Sequence, residues 1–360
     1  MTENKKLKKC NLIIIKKVKV DAKENMTKSN DEMIGKKIIV IGSGNWGTTL
    51  ALLFSKKNKI RLWTINKTEA DEINENKENK NSLPGIKLNS NILAEKKFSS
   101  PIEKDDIVII AIPSRKIESL VEEMIENKVE ECIIVNASKG VEHSTLKTVS
   151  ETIFAKLPKI RFANISGPTI ARELAEGLPA KAILASQDVS LLFHLQKILE
   201  NDLLKFEFRR DVEGIELAAS LKGLIAIAVG LSDGFGFKTN VFGLIMTYGL
   251  HEFKTVMEFL GVRPSTVYSI AGMGDLITTC ISENSRNRKF GKLLAEGLSR
   301  DEALKKVGME VEGVSMAKTI QKLAKFNLSI PLISCVTRII FEDVPDRKTE
   351  LMKTLNSISG

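Results

Sequence analysis

For its first two hundred positions the chain places apolar residues in short unbroken runs, and beyond that in helical spacing. The run over 36–41 predicts a strand, followed by a helix over 48–57. A second strand is expected over 59–63 and a polar helix over 68–80, closed by the loop signal Leu83-Pro84-Gly85. The continuous apolar run 106–111 has the character of a parallel strand buried on both faces. Ser114 is placed to cap a helix reaching Asn127, with Glu118 in its first turns. Strands over 132–136 and 162–166 bracket a helix over 144–157, and a last pair, 182–185 and 203–208, flanks a helix over 190–200. Such alternation predicts an α/β fold with a Rossmann-like doubly wound parallel sheet. Past Arg210 the strand signal fades and glycine-punctuated helices run to the C-terminus, so an all-α domain is expected to follow. The expected divisions are 1–34, a lysine-rich, disordered extension; 35–208, a dinucleotide-binding domain; and 209–360, a helical substrate and catalytic domain.

The first strand runs directly into Gly42-Ser43-Gly44-Asn45-Trp46-Gly47. A strand, G-x-G-x-x-G and a helix in that order form a dinucleotide-binding fingerprint. Gly42 permits the tight turn, Gly44 lets the backbone approach a pyrophosphate, and Gly47 lets helix and strand pack closely. The free N–H groups and positive dipole end of the helix then favour a diphosphate.

Composition narrows the picture. The 360 residues suffice for two domains, and the net charge of +9 includes nine lysines and five acids within residues 1–34, a surplus of +4. That basic tail, with Met26 and Met33 as alternative starts, has the composition of a solvated segment. Its apolar run 12–15 is too short for a signal-peptide core. Cys10, Cys132, Cys280 and Cys335 form no C-x-x-C, which suits free thiols in a reducing cytoplasm and predicts neither disulfide nor metal site. No charge-free apolar stretch of about 18 residues is present, so no membrane span is expected. No zinc finger or basic stripe interleaved with aromatics points to nucleic acid.

Hydride chemistry on an alcohol needs a base for the hydroxyl proton and a positive group for the developing alkoxide. His143, His194 and His251 lie in no constellation, so lysine is the better candidate. Lys222 sits in a segment apolar nearly all round, 215–229, with Ala218, Ala219 and Ala226 one turn away. A buried lysine there has a lowered pKa suited to a general base; a lysine snorkelling to the surface is the alternative. Lys139 follows a predicted strand, where ligands bind in such sheets, and its charge would lower the pKa of a neighbouring lysine. Asp275, after Ala271-Gly272-Met273-Gly274, is a helix cap or a partner for a lysine ammonium. The run Ser285-Arg286-Asn287-Arg288-Lys289 offers forked donors for a phosphate, or a solvated basic face.

Taken in order, these segments resemble the bacterial-type NAD(P)-dependent sn-glycerol-3-phosphate dehydrogenases from about residue 36 to 342. The resemblance is carried by 42–47, Ile112-Pro113-Ser114, Ser138-Lys139-Gly140, the run 166–173 and the Lys222 helix. It continues in Ser232-Asp233-Gly234, Gly274-Asp275-Leu276, the run 285–291 and Val311-Glu312-Gly313. It implies reversible reduction of dihydroxyacetone phosphate to sn-glycerol 3-phosphate for phospholipid synthesis, by a cytoplasmic homodimer using NAD or NADP. It implies Lys222 as general acid/base, completed by Lys139 and Asp275, with Thr279 bonding substrate. Arg286, Asn287 and Ser285 would hold the substrate phosphate, and Gly167 and Thr169 would line the substrate site. Asn45, Trp46, Lys139, Ala171, Arg286, Glu310 and Glu312 would contact the cofactor, on the cradle of Gly42, Gly44 and Gly47.

Two positions depart from the family pattern. Gly223 stands where asparagine usually follows the lysine, so a substrate hydrogen bond is expected to be missing or made by water. Tyr248 replaces a usual arginine. Cofactor choice stays open, because the second strand ends in Trp63-Thr64-Ile65-Asn66 with neither an acid nor an arginine clamp. Asn66 and Lys67 predict less than about tenfold preference between NADH and NADPH, roughly 1.4 kcal/mol. Two other readings compete: another lysine-based dehydrogenase of the β-hydroxyacid or 6-phosphogluconate type, and a dinucleotide sensor without turnover. Substrate preference separates the first, and turnover the second.

Overall fold

A computed structural model describes residues 37–141, 147–323, 326 and 328–358. The extension expected over 1–34, His143 and the first residues of the helix expected from 144 lie outside the described residues.

Four uninterrupted isoleucine and valine positions make β1 (Ile38–Ile41), the centre of an eight-stranded sheet. Beside it lie β2 (Ile60–Thr64), then β3 (Ile92–Lys96), on one side. On the other come β4 (Ile107–Ile110), β5 (Ile133–Asn136), β6 (Arg161–Ser166), β7 (Ala180–Ala185) and β8 (Leu204–Arg209). The order is β3-β2-β1-β4-β5-β6-β7-β8, so the chain reverses its winding between β1 and β4. In such sheets that switch point opens the ligand crevice at the carboxyl ends of the strands.

The first six strands run parallel. The sheet is not parallel throughout, as expected from sequence: β7 pairs antiparallel to β6, with Ile165 opposite Leu184, and β8 follows β7 in parallel. The chain leaving β6 turns back after a single short helix, with no full crossover to restore the direction. The edge strand β3 is also absent from the sequence reading. Its pattern of alternating buried and exposed positions is only five residues long and interrupted by Glu95 and Lys96, which leaves little periodic signal.

Helices cover both faces. On one side α1 (Asn45–Phe54) and α2 (Lys67–Asn76) pack with the sheet's Ile38, Val40 and Ile109. On the other, α3 (Ile117–Glu126) and α4 (Val149–Lys156) enclose Ile39, Val108 and Ile134. Ser114 does not cap α3 as expected. It opens a short 3-10 turn, Ser114–Lys116, and its hydroxyl donates to the Val141 carbonyl at 3.3 Å. Two further helices, α5 (Ala171–Ala175) and α6 (Val189–Leu199), complete this part.

Among the described residues every regular element after β8 is helical. The long α7 (Val212–Gly234) forms the axis, surrounded by α8 (Thr239–Phe259), α9 (Asp275–Ile281), α10 (Arg286–Ala295) and α11 (Arg300–Val307). The last three are α12 (Glu312–Leu323), α13 (Pro331–Phe341) and α14 (Arg347–Ser357). By length and composition α7 is apolar enough to cross a membrane, but its apolar window is 100% buried inside the fold, as a central core helix should be.

Glycines let α7 and α10 touch backbone to backbone. A β carbon on Gly291 would stand 2.1 Å from the Ile227 carbonyl oxygen, and one on Gly230 would stand 2.0 Å from that of Arg288. Gly291→Ala is therefore expected to destabilise the fold by at least about 3 kcal/mol in urea unfolding. Gly243→Ala, which meets nothing within 4 Å among the described residues, serves as the control and should be neutral or slightly stabilising. A Gly291→Ala variant as stable as wild type would contradict the close helix contact.

Candidate active site

The crevice at the carboxyl ends of the strands is lined first by the glycine turn. Gly42 has φ +112°, and a β carbon there would meet the Ala111 carbonyl oxygen at 2.5 Å. A β carbon on Gly47 would lie 1.9 Å from the Gly42 oxygen, so the helix sits directly on the turn. Gly44 is different: among the described residues nothing lies within 4 Å of its absent side chain, and no side chain caps the N-terminus of α1. Exposed helix N–H groups beside an open glycine fit a diphosphate. Asn45 stands exposed at the head of α1, and Trp46 donates its indole N–H to the Ala137 carbonyl at 3.1 Å.

That bond ties α1 to the loop carrying Lys139. The loop is further shaped by Asn136, whose Oδ1 accepts from the Ser138 N–H at 3.0 Å and whose amide donates to Asn164 Oδ1 at 2.8 Å. The same amide donates to Glu216 Oε1 at 3.2 Å, and Glu216 also accepts from the Ser150 N–H. Burial pushes the Glu216 carboxyl up to about 7, against the hydrogen bonds from Ser150. Since Glu216 belongs to α7, the Lys139 loop is fastened to the helix that bears Lys222.

Lys222 lies midway along α7 and is buried, with only 5% of its surface exposed. The snorkelling alternative is therefore not adopted. Its Nζ pairs with Asp275 Oδ2, and Lys139 Nζ reaches the same oxygen at 2.9 Å. Asp275 is the first residue of α9, where the helix dipole favours an anion. It is delivered by the turn Ile270–Gly274, in which Gly272 has no room for a side chain: a β carbon would strike the Val267 carbonyl at 2.3 Å. The Thr279 hydroxyl donates to the Asp275 carbonyl at 2.6 Å. One buried carboxylate thus holds two ammonium groups.

The two lysines respond in opposite senses. Burial, opposed by Asp275 and reinforced by Lys139, lowers the Lys222 pKa to about 8. Lys139 is raised: burial works against its charge, but the carboxylates of Asp275 and Glu312 outweigh it. Asp275 stays well below the usual carboxylate range, because the two lysines overcome its own burial. A proton held weakly on Lys222 beside one held firmly on Lys139 suits a proton-transferring group with an electrostatic partner.

Around this centre, Gly167 follows β6 with φ +157°, and a β carbon there would meet the Ala182 α carbon at 3.0 Å. Thr169 donates its hydroxyl back to the Gly167 carbonyl at 3.2 Å, and the Ala171 carbonyl accepts from Thr49 at 3.1 Å. Ser285 caps α10 by accepting from the Arg288 N–H. Arg286, first in α10, is exposed, and among the described residues no hydrogen bond or ion pair engages its guanidinium. Arg288, by contrast, is committed to Asp233 at 3.1 Å. Asn287 accepts from the Gly313 N–H at 2.9 Å, next to Glu312 at the head of α12.

Gly223 has a positive reason to be glycine: a β carbon there would lie 2.9 Å from Gly313 and 3.3 Å from the Asn287 amide nitrogen. Tyr248 packs against the helical core. Glu310, expected to contact the cofactor, accepts from the Arg115 guanidinium at 3.1 Å. Sequence reading also missed Glu216, whose link to the Lys139 loop exists only in the folded chain.

Residues 37–192 match the family profile described as NAD-dependent glycerol-3-phosphate dehydrogenase N-terminus, and residues 211–349 match the corresponding C-terminus. The glycerol-3-phosphate dehydrogenase (NAD(P)+) of Fusobacterium nucleatum is 37% identical over 311 residues, covering 85% of this chain and 93% of its own. That of Clostridium tetani is 34% identical over 324 residues, covering 89% and 93%. Among solved structures, the glycerol-3-phosphate dehydrogenase of Coxiella burnetii superposes with a TM-score of 0.83 at 30% identity, over 89% of this chain and 99% of that one.

Proposed function

The chain belongs to the NAD-dependent glycerol-3-phosphate dehydrogenase family, and we propose that Lys222 is its general acid/base. The family makes it an NAD(P)-dependent oxidoreductase. The observation that carries the catalytic reading is the buried pair of lysines on one carboxylate, at the carboxyl end of the sheet.

A bound nicotinamide supplies the hydride for a ketone. In reduction of dihydroxyacetone phosphate, Lys222 Nζ–H donates its proton to the carbonyl oxygen as negative charge develops there. In oxidation of glycerol 3-phosphate, neutral Lys222 takes the hydroxyl proton. Asp275 orients the Lys222 ammonium, and Lys139 keeps a second positive charge beside the oxygen. The uncommitted guanidinium of Arg286 holds the substrate phosphate with Asn287 and Ser285, while Thr279, Gly167 and Thr169 border the reacting carbons. Fixing the unreactive phosphate orients the carbonyl, so remote binding contributes to rate. Asn45, Trp46, Ala171 and Glu312 border the dinucleotide. We propose further that the product feeds phospholipid synthesis, which predicts that added glycerol 3-phosphate restores growth to cells lacking the protein; growth unaffected by the supplement would refute that role.

Loss of NADH absorbance on mixing purified protein with dihydroxyacetone phosphate tests the reaction directly. Cofactor binding without oxidation would leave the sensor reading standing. The pH dependence tests the assignment of Lys222. Its pKa is lowered, so reduction should fall as pH rises through about 8, while oxidation should rise through the same region. Since Lys139 lowers that value, Lys139→Met should move both limbs to higher pH. Limbs that stay fixed in this variant would uncouple the two lysines.

A further inference from the structure

The end of β2 carries no acid, yet the fold returns one to the glycine turn. Glu69, third in α2, has its N–H anchored by Asn66 Oδ1 at 2.8 Å, the side chain that caps this helix. Thr64 Oγ1 donates to the Asn66 carbonyl at 2.6 Å, fixing the approach from β2. From this base the Glu69 carboxylate reaches the fingerprint itself: its Oε1 accepts from the hydroxyl of Ser43, between Gly42 and Gly44, at 2.6 Å. Ser43 is held from behind, because the Asn79 amide donates to its carbonyl at 2.7 Å and to Thr48 Oγ1 at 3.0 Å.

The consequence is a fixed negative charge at the edge of the dinucleotide crevice. Among the described residues no cation pairs with Glu69, and its Oε2 has no hydrogen-bond donor. In Rossmann folds the ribose next to the adenine lies between the glycine turn and the end of the second strand, and an acid about 20 residues past the fingerprint accepts from its 2′-hydroxyl. Glu69 meets that description in space and, counted from Gly47, in spacing. Lys67, at the head of the same helix, is exposed and unpaired among the described residues, so it lacks the anchoring that holds the Glu69 carboxylate on Ser43.

We propose that Glu69 selects the cofactor lacking a 2′-phosphate, accepting from the ribose hydroxyl and repelling the phosphate of NADPH. This rests on the dinucleotide-binding reading of the glycine turn. It replaces the near-equal preference that Asn66 and Lys67 suggested with a preference for NADH of at least tenfold, about 1.4 kcal/mol. A like charge built into a site is an ordinary means of discrimination.

Calorimetric titration of the full chain with NADH and with NADPH tests it without reference to turnover. Wild type should bind NADH at least tenfold more tightly. Glu69→Gln keeps the shape but removes the charge, and should move the ratio of the two Kd values at least tenfold toward NADPH. Glu69→Lys should invert the preference. Side chains on a helix surface make loss of folding a small concern, and unchanged thermal melting would verify it. Equal wild-type affinities, or a ratio unmoved in Glu69→Gln, would overturn the role of Glu69 alone. Failure to bind either dinucleotide would overturn the reading of the glycine turn as well.

Discussion

Lys222→Met should lower kcat for reduction of dihydroxyacetone phosphate by about 10²–10⁴, the usual worth of a positioned proton donor. Methionine preserves much of the volume that Lys222 occupies among Ala218, Ala219 and Ala226 on α7, so the helix core should remain filled. The Kd for NADH should change by only a few-fold, because the glycine turn and the head of α1 are separate from this side chain. The pH limb near 8 should disappear with the group that produces it. Steady-state kinetics and calorimetry on one preparation distinguish this outcome from general damage. Unchanged kcat would remove Lys222 from the chemistry.

Asp275→Asn should harm both the fold and the reaction. The carboxylate is 2% exposed and is shared by two ammonium groups, so its neutralisation leaves like charges facing an amide. Removing one partner of a buried ion cluster typically destabilises by about 3–5 kcal/mol. The lysines can relieve part of this by releasing a proton, and that gives the loss a signature. A lysine with a folded pKa below its unfolded value binds fewer protons in the native state, so stability rises with pH across that interval. The deficit of Asp275→Asn should therefore be greatest near neutrality and shrink toward pH 10. Asp275 also raises the Lys222 pKa, so its loss should move the kinetic limb to lower pH, opposite to Lys139→Met. Denaturant curves at several pH values, beside pH–rate profiles, read both effects. A pH-independent deficit would mean that the carboxylate acts only as a packing group.

The layered sheet and its helical sequel were legible because their signals are local: apolar runs in β1, β4 and β5, and the glycine fingerprint before α1. Lys222 was conspicuous because a lysine in a helix apolar on every side demands a partner. What sequence could not express is which distant groups meet. Lys139 and Asp275 are 136 positions apart and share an oxygen only after the sheet and helices pack. Glu69 looks like one more acid on a polar helix until Ser43 is placed beside it. The antiparallel β7 was hidden for a related reason, since the same apolar run serves either direction, and only the short return after β6 decides.

Gly223 lies against Gly313, and Gly230 and Gly291 lie against carbonyl groups of the facing helices, so α7, α10 and α12 meet through their main chains. A joint of this kind has no layer of side chains able to slide or change rotamer. Mechanically the three helices form a single stiff unit, with Lys222 buried midway along its central member. The spacing between Lys222 on α7 and the head of α10 is thereby set by main-chain contacts made during folding.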